Sequence, residues 1–86
     1  MSHQIEIGPA ARKGLRSLPR PDLVQVDAAI RALAEEPRPH GCVKWTDQEA
    51  WRIRIGIGTY RVIYEIDDGR LVVLVVDVGH RRDIYR

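Results

Sequence analysis

From Trp51 to Arg61 the chain alternates apolar and cationic positions, W-R-I-R-I-G-I-G-T-Y-R. Strand side chains point to opposite faces in turn, so Trp51, Ile53 and Ile55 share one face while Arg52 and Arg54 share the other. A chain reversal at Gly56-Ile57-Gly58-Thr59, symmetric about Ile57 and Gly58, sets Ile55 opposite Tyr60, Ile53 opposite Val62 and Arg54 opposite Arg61. The second strand continues the alternation, with Tyr60, Val62, Tyr64 and Ile66 against Arg61, Ile63 and Glu65. Asp68-Gly69 is a hairpin turn signal. The following run, Leu71 to Val76, is apolar on both faces, as expected of the centre of a sheet covered on both sides.

The N-terminal half changes period. Ser2 to Ile7 alternates with Ile5 and Ile7 on one face, which predicts a short strand ended by Gly8-Pro9. Pro9 suits a first helical turn, and Ala10, Ala11, Leu15 and Leu18 recur at near-helical spacing with Arg12, Lys13 and Arg16 outside. After a break at Pro19 and Pro21, the stripe Leu23, Val26, Ile30, Leu33 predicts a longer helix. Asp22 complements its dipole, whereas Glu35 and Glu36 at its far end oppose it. Pro37-Arg38-Pro39-His40-Gly41 cannot continue a helix. A short strand at Cys42 to Trp45 and a polar turn at Thr46 to Glu49 lead into the arginine hairpin. The order β-α-α-β-β-β-β predicts an α+β fold: two N-terminal helices packed on one face of a small, mainly antiparallel twisted sheet. Trp51, Ile53, Val62 and Tyr64 would face the helices. Arg52, Arg54 and Arg61 would line a groove on the other side.

Length limits the chain to a single domain, residues 1–86. Its 44% hydrophobic and 30% charged residues are those of an ordinary globular protein. A net charge of +2 is a weak argument for nucleic acid. The cations themselves say more, because only Lys13 and Lys44 are lysines and the other twelve are arginines. Arginine is preferred for bidentate phosphate contacts, although a GC-rich genome produces the same bias. The lone Cys42 excludes an internal disulfide and is expected as a small core residue. No signal-peptide pattern opens the chain and no apolar run approaches the roughly 20 residues of a membrane helix, so a soluble cytoplasmic protein is expected. His3 and His40 lack neighbours at ligand spacing, and no metal site is expected. Trp45 and Trp51 are expected in the core.

Two arginines directly opposed across strands destabilise the pairing by roughly 0.2 to 1 kcal/mol. Arg54 and Arg61 therefore require a compensating carboxylate, such as Glu65, or a function that concentrates positive charge. Binding an anion is such a function.

Taken together, W-R-I-R-I, Y-R-V-I-Y-E-I-D-D and L-V-V-L-V-V-D-V-G-H-R-R-D-I-Y resemble the RelE family of bacterial toxins, within the wider RelE/ParE superfamily. The two helices before the sheet extend the resemblance over nearly the whole chain. The Y-R-V-I-Y strand fits most of the superfamily, including members that poison DNA gyrase. The tail V-G-H-R-R-D-I-Y points to the RNA-cleaving branch. The resemblance implies a ribosome-dependent endoribonuclease that cuts mRNA in the A site without a metal or cofactor, and a cognate antitoxin that neutralises it. It implies a monomer when free and a hetero-oligomer with the antitoxin. The family's active positions fall on Arg52, Arg54, Arg61, Arg81 and Tyr85, with arginine where well-studied members carry lysine on the hairpin. A gyrase inhibitor of the same fold is the alternative, and a catalytically silent antitoxin partner is a third reading.

Metal-free RNA cleavage needs a group to take the 2′ proton, cations to neutralise the phosphorane and a group to protonate the leaving oxygen. Arginine supplies charge through its fork of donors, but with a pKa above about 12 it is a poor proton carrier. Arg54, Arg61 and Arg81 are therefore assigned to phosphate binding and transition-state stabilisation. Arg52, Arg82, Lys44, Arg12 and Lys13 are assigned to RNA or phosphate contacts. Tyr85 is available to stack on a base or to polarise the 2′-hydroxyl. His80 is either the proton carrier, since its ordinary pKa lies near 6.5, or a surface histidine against rRNA.

Overall fold

The computed structural model describes residues 2–44, 50–56 and 59–80. The elements run β1 (Gln4–Ile7), α1 (Pro9–Arg16), α2 (Arg20–Ala32), β2 (Val43–Lys44), β3 (Ala50–Ile55), β4 (Tyr60–Asp67) and β5 (Val72–His80). The strands form one sheet in the order β1-β5-β4-β3-β2. Every pairing is antiparallel except β1 with β5. This is the α+β arrangement that the alternating periods predict. Trp45 and the Thr46 to Glu49 turn lie outside the described residues.

The β3–β4 hairpin has the predicted register: Ile55 pairs with Tyr60, Arg54 with Arg61, Ile53 with Val62 and Trp51 with Tyr64. Gly56 opens the turn at φ 70, a left-handed conformation that costs glycine little. Ile53, Ile55, Val62, Tyr64 and Ile66 cluster with Ala11 of α1 and with Val26, Ile30 and Leu33 of α2 and its end. One side of the sheet is thus sealed by both helices. The Tyr64 hydroxyl donates to the Pro37 carbonyl at 2.8 Å inside this core, and burial pushes the phenol's pKa up.

α1 lies against β5 because Gly14 lets it come close. A Cβ at Gly14 would overlap the Val78 carbonyl oxygen. At the β1–α1 junction the Gly8 amide donates to the Val75 carbonyl at 2.8 Å, carrying the chain straight from strand to helix.

Three expectations are corrected. β4 and not the apolar strand is the central one, since β5 has β1 beside it only along Val72 to Val75. Its two-sided apolar character reflects the half-buried Val72 and Leu74 on the open side, not a second layer of helices. The strand also begins at Val72, because Leu71 takes φ 56 to close the turn. Finally, α2 stops at Ala32, so Glu35 and Glu36 never meet its dipole. The chain unwinds there through successive tight turns, with the Leu33, Ala34 and Glu35 amides bonded to the Ile30, Arg31 and Ala32 carbonyls.

A β-bulge decides what β5 presents. Tyr64 pairs with Val75 but Ile63 pairs with Asp77, leaving Val76 as an extra residue. Parity therefore switches at Val76. Val73 and Val75 before it, and Val78 after it, all reach the core.

Candidate functional site

The open side of the sheet is ordered in rows across the strands. Arg54, Arg61 and Gly79 form the row nearest the hairpin turn. Arg52, Ile63 and Asp77 form the next, and Ala50, Glu65, Leu74 and Glu6 the one after. Cations thus gather at the hairpin end and carboxylates at the other. Arg54 is exposed and Arg52 half-buried, but Arg61 is only 7% exposed. Gly79 beside it in the ladder adds no side chain. Glu65 does not balance the pair. It faces Ala50, four residues along β4 from Arg61, which is about 13 Å of strand. Register instead makes Asp77 the carboxylate diagonal to Arg61.

His80 occupies the same end of the sheet on the opposite side. The bulge turns it toward the helices, where its ring meets Tyr60 edge to face at 5.9 Å and 82°. The Tyr60 hydroxyl donates to Asp22 Oδ2 of α2 at 2.7 Å, and this bond, with a smaller contribution from burial, raises the phenol's pKa. His80, Tyr60 and Lys13 border a cavity of about 490 Å³, floored by Gly14, Leu18 and Val78. Lys13 is thereby brought near His80, while Arg12 is exposed farther round α1.

Lys44 is not part of the arginine row. It pairs with Trp51, so register places it on the helix side of the edge strand. Arg81, Arg82 and Tyr85 lie outside the described residues. Among the described residues no group of three His, Cys, Asp or Glu side chains could hold a metal ion. No helix among them is long and apolar enough to cross a membrane.

Sequence reasoning missed a polar cluster at the far end of the sheet. Arg38 grips Asp68 with both terminal nitrogens, at 2.9 and 3.4 Å, and lies 5.4 Å from the Trp51 ring centroid. His3 Nε2 adds a contact to Asp68 at 3.2 Å. Arg38 first, then His3, holds the Asp68 carboxyl below the usual carboxylate range. These partners are 30 and 65 residues apart in sequence, so no local pattern could have announced them. The Tyr60–Asp22 bond spans 38 residues and was equally invisible.

The comparisons with known proteins agree with this fold. The sequence family described as ParE toxin of type II toxin-antitoxin system, parDE, matches residues 5–85. Toxin RelG of Mycobacterium tuberculosis is 36% identical over 88 residues, spanning 100% of this chain and 99% of its own. A chain of the M. tuberculosis RelBE2 toxin–antitoxin complex superposes with a TM-score of 0.81 at 27% identity, covering 94% of this chain and 100% of that one. The intact E. coli RelBE complex gives a TM-score of 0.81 at 23% identity over 92% and 96% of the two chains, a likeness of fold alone.

Proposed function

Because the chain belongs to the RelE/ParE superfamily of toxins from type II toxin–antitoxin systems, we propose that it is the ribosome-dependent, metal-independent endoribonuclease of such a system, cutting mRNA in the A site. The observation that carries this reading is the Arg54–Arg61 pair, two arginines set directly opposite each other across the β3–β4 ladder at the hairpin end of the sheet. A scissile phosphate between the two guanidiniums relieves the repulsion and receives their donors.

In the proposed reaction the 2′-oxygen attacks the adjacent phosphorus as its proton is removed. The bond from phosphorus to the 5′-oxygen breaks, and that oxygen takes up a proton, leaving a cyclic phosphate and a free 5′-hydroxyl. Arg54 and Arg61 stabilise the phosphorane, joined by Arg81, while Arg52, Arg82, Lys44, Arg12 and Lys13 hold RNA. His80 ends β5 at the hairpin end of the sheet, on the helix side rather than in the arginine row, and is the proposed proton carrier for an RNA strand that passes over that end, with Tyr85 beside the substrate. The partners are the ribosome, its mRNA and a cognate antitoxin, as the RelBE complexes of the structural relatives suggest. The protein works in the cytoplasm, as a monomer until the antitoxin binds.

Inhibition of DNA gyrase is the second reading, favoured by the ParE description of the matching family. Purified protein added to programmed ribosomes and, separately, to a gyrase supercoiling reaction decides between them. Primer extension should show new mRNA 5′ ends at A-site codons with supercoiling intact; the reverse pattern overturns the nuclease.

A further inference from the structure

Tyr60 joins two parts of the proposed site. It precedes Arg61 in sequence, and it pairs in register with His80, the residue before Arg81. Its ring stands between two spaces, the 490 Å³ cavity beside α1 and one of about 290 Å³ lined by Asp22, Gln25, Gly56, Thr59 and Tyr60. The ring packs against the core on one part of its surface and borders open space on others, so packing alone does not hold its hydroxyl end. The hydroxyl end is tied by the 2.7 Å bond to Asp22 in the first turn of α2, and the ring meets the His80 imidazole edge to face.

We infer that Asp22 and Tyr60 are positioning residues for the nuclease: Asp22 anchors the Tyr60 ring, and the anchored ring sets the orientation of His80 where β5 passes into the basic tail. The inference rests on the proposed nuclease reading. The carboxylate acts through the ring and touches no substrate. Its loss leaves the arginine row intact on the other side of the sheet, so RNA binding persists while the approach to the transition state is slowed.

The test uses the full-length toxin on mRNA-programmed ribosomes, with single-turnover cleavage and ribosome affinity measured separately for Asp22→Ala, Asp22→Asn and Tyr60→Phe. Asp22→Ala and Tyr60→Phe should each slow cleavage about tenfold with affinity within about twofold, the loss expected of a slightly misplaced group. Asp22→Asn, whose amide oxygen still accepts the bond, should stay within about threefold of wild type. The His80 imidazole proton resonances should move in Asp22→Ala and remain near the wild-type positions in Asp22→Asn. Cleavage at wild-type rate in Asp22→Ala, or an Asn variant as slow as the Ala variant, overturns the positioning role while the nuclease reading stands. A wild-type protein that cuts no mRNA overturns the nuclease reading and this role with it.

Discussion

Arg54 stands directly across the β3–β4 ladder from Arg61, one guanidinium exposed and the other on a residue buried in the central strand. Replacing the exposed partner removes like-charge repulsion without disturbing the core. Arg54→Thr should therefore stabilise the protein by about 0.5 kcal/mol in urea denaturation while weakening growth inhibition on expression. A variant both less stable and equally toxic would contradict the role given to the pair.

Gly14 sits where a Cβ would overlap the Val78 carbonyl of β5, so Gly14→Ala must push the helix away from it. Intrinsic helix propensity favours alanine by roughly 1 kcal/mol, but overpacking against backbone costs about 1 to 3 kcal/mol. The balance should be a lowered thermal midpoint, measurable by circular dichroism.

Tyr64→Phe removes one oxygen from the buried centre and leaves the Pro37 carbonyl without its donor. Stranding a buried acceptor costs about 1 to 3 kcal/mol. The variant should shift the urea midpoint down with an unchanged slope, since the surface exposed on unfolding is the same.

Asp68 predicts an acid-sensitive contribution to stability. Its carboxyl is held below the ordinary value in the folded state by Arg38 and His3, so the folded protein binds fewer protons there than the unfolded chain. The contribution is present above the unfolded pKa of about 4 and fades as pH falls below it. In Asp68→Asn the stability profile below about pH 4 should be flatter than wild type, and the two profiles should converge at the acid end.

The hairpin was legible because alternation and a symmetric turn determine which residues face each other, and the register of Arg54 and Arg61 follows from counting. The helices were legible from their stripe, apart from the stop at Ala32, which depends on tight-turn hydrogen bonds rather than on any breaking residue. What the sequence concealed was parity beyond Val75. Counting alternately from Val73 puts Asp77 in the core and Val78 outside, the opposite of what the bulge produces. The Asp22–Tyr60–His80 chain was hidden for the same reason, together with its span across α2, β4 and β5.

The extra residue at Val76 makes pairing with β4, rather than the count of residues along β5, the determinant of which way the last third of β5 looks. A substitution at Val76 leaves the phase of the strand unchanged. Deleting it would convert the bulge into a regular ladder, with Asp77 still opposite Ile63 on the arginine side and Val78 and His80 still toward the helices. The strand therefore has one residue in reserve: a single deletion at the bulge is absorbed by regular pairing, and the polarity of the strand end is kept.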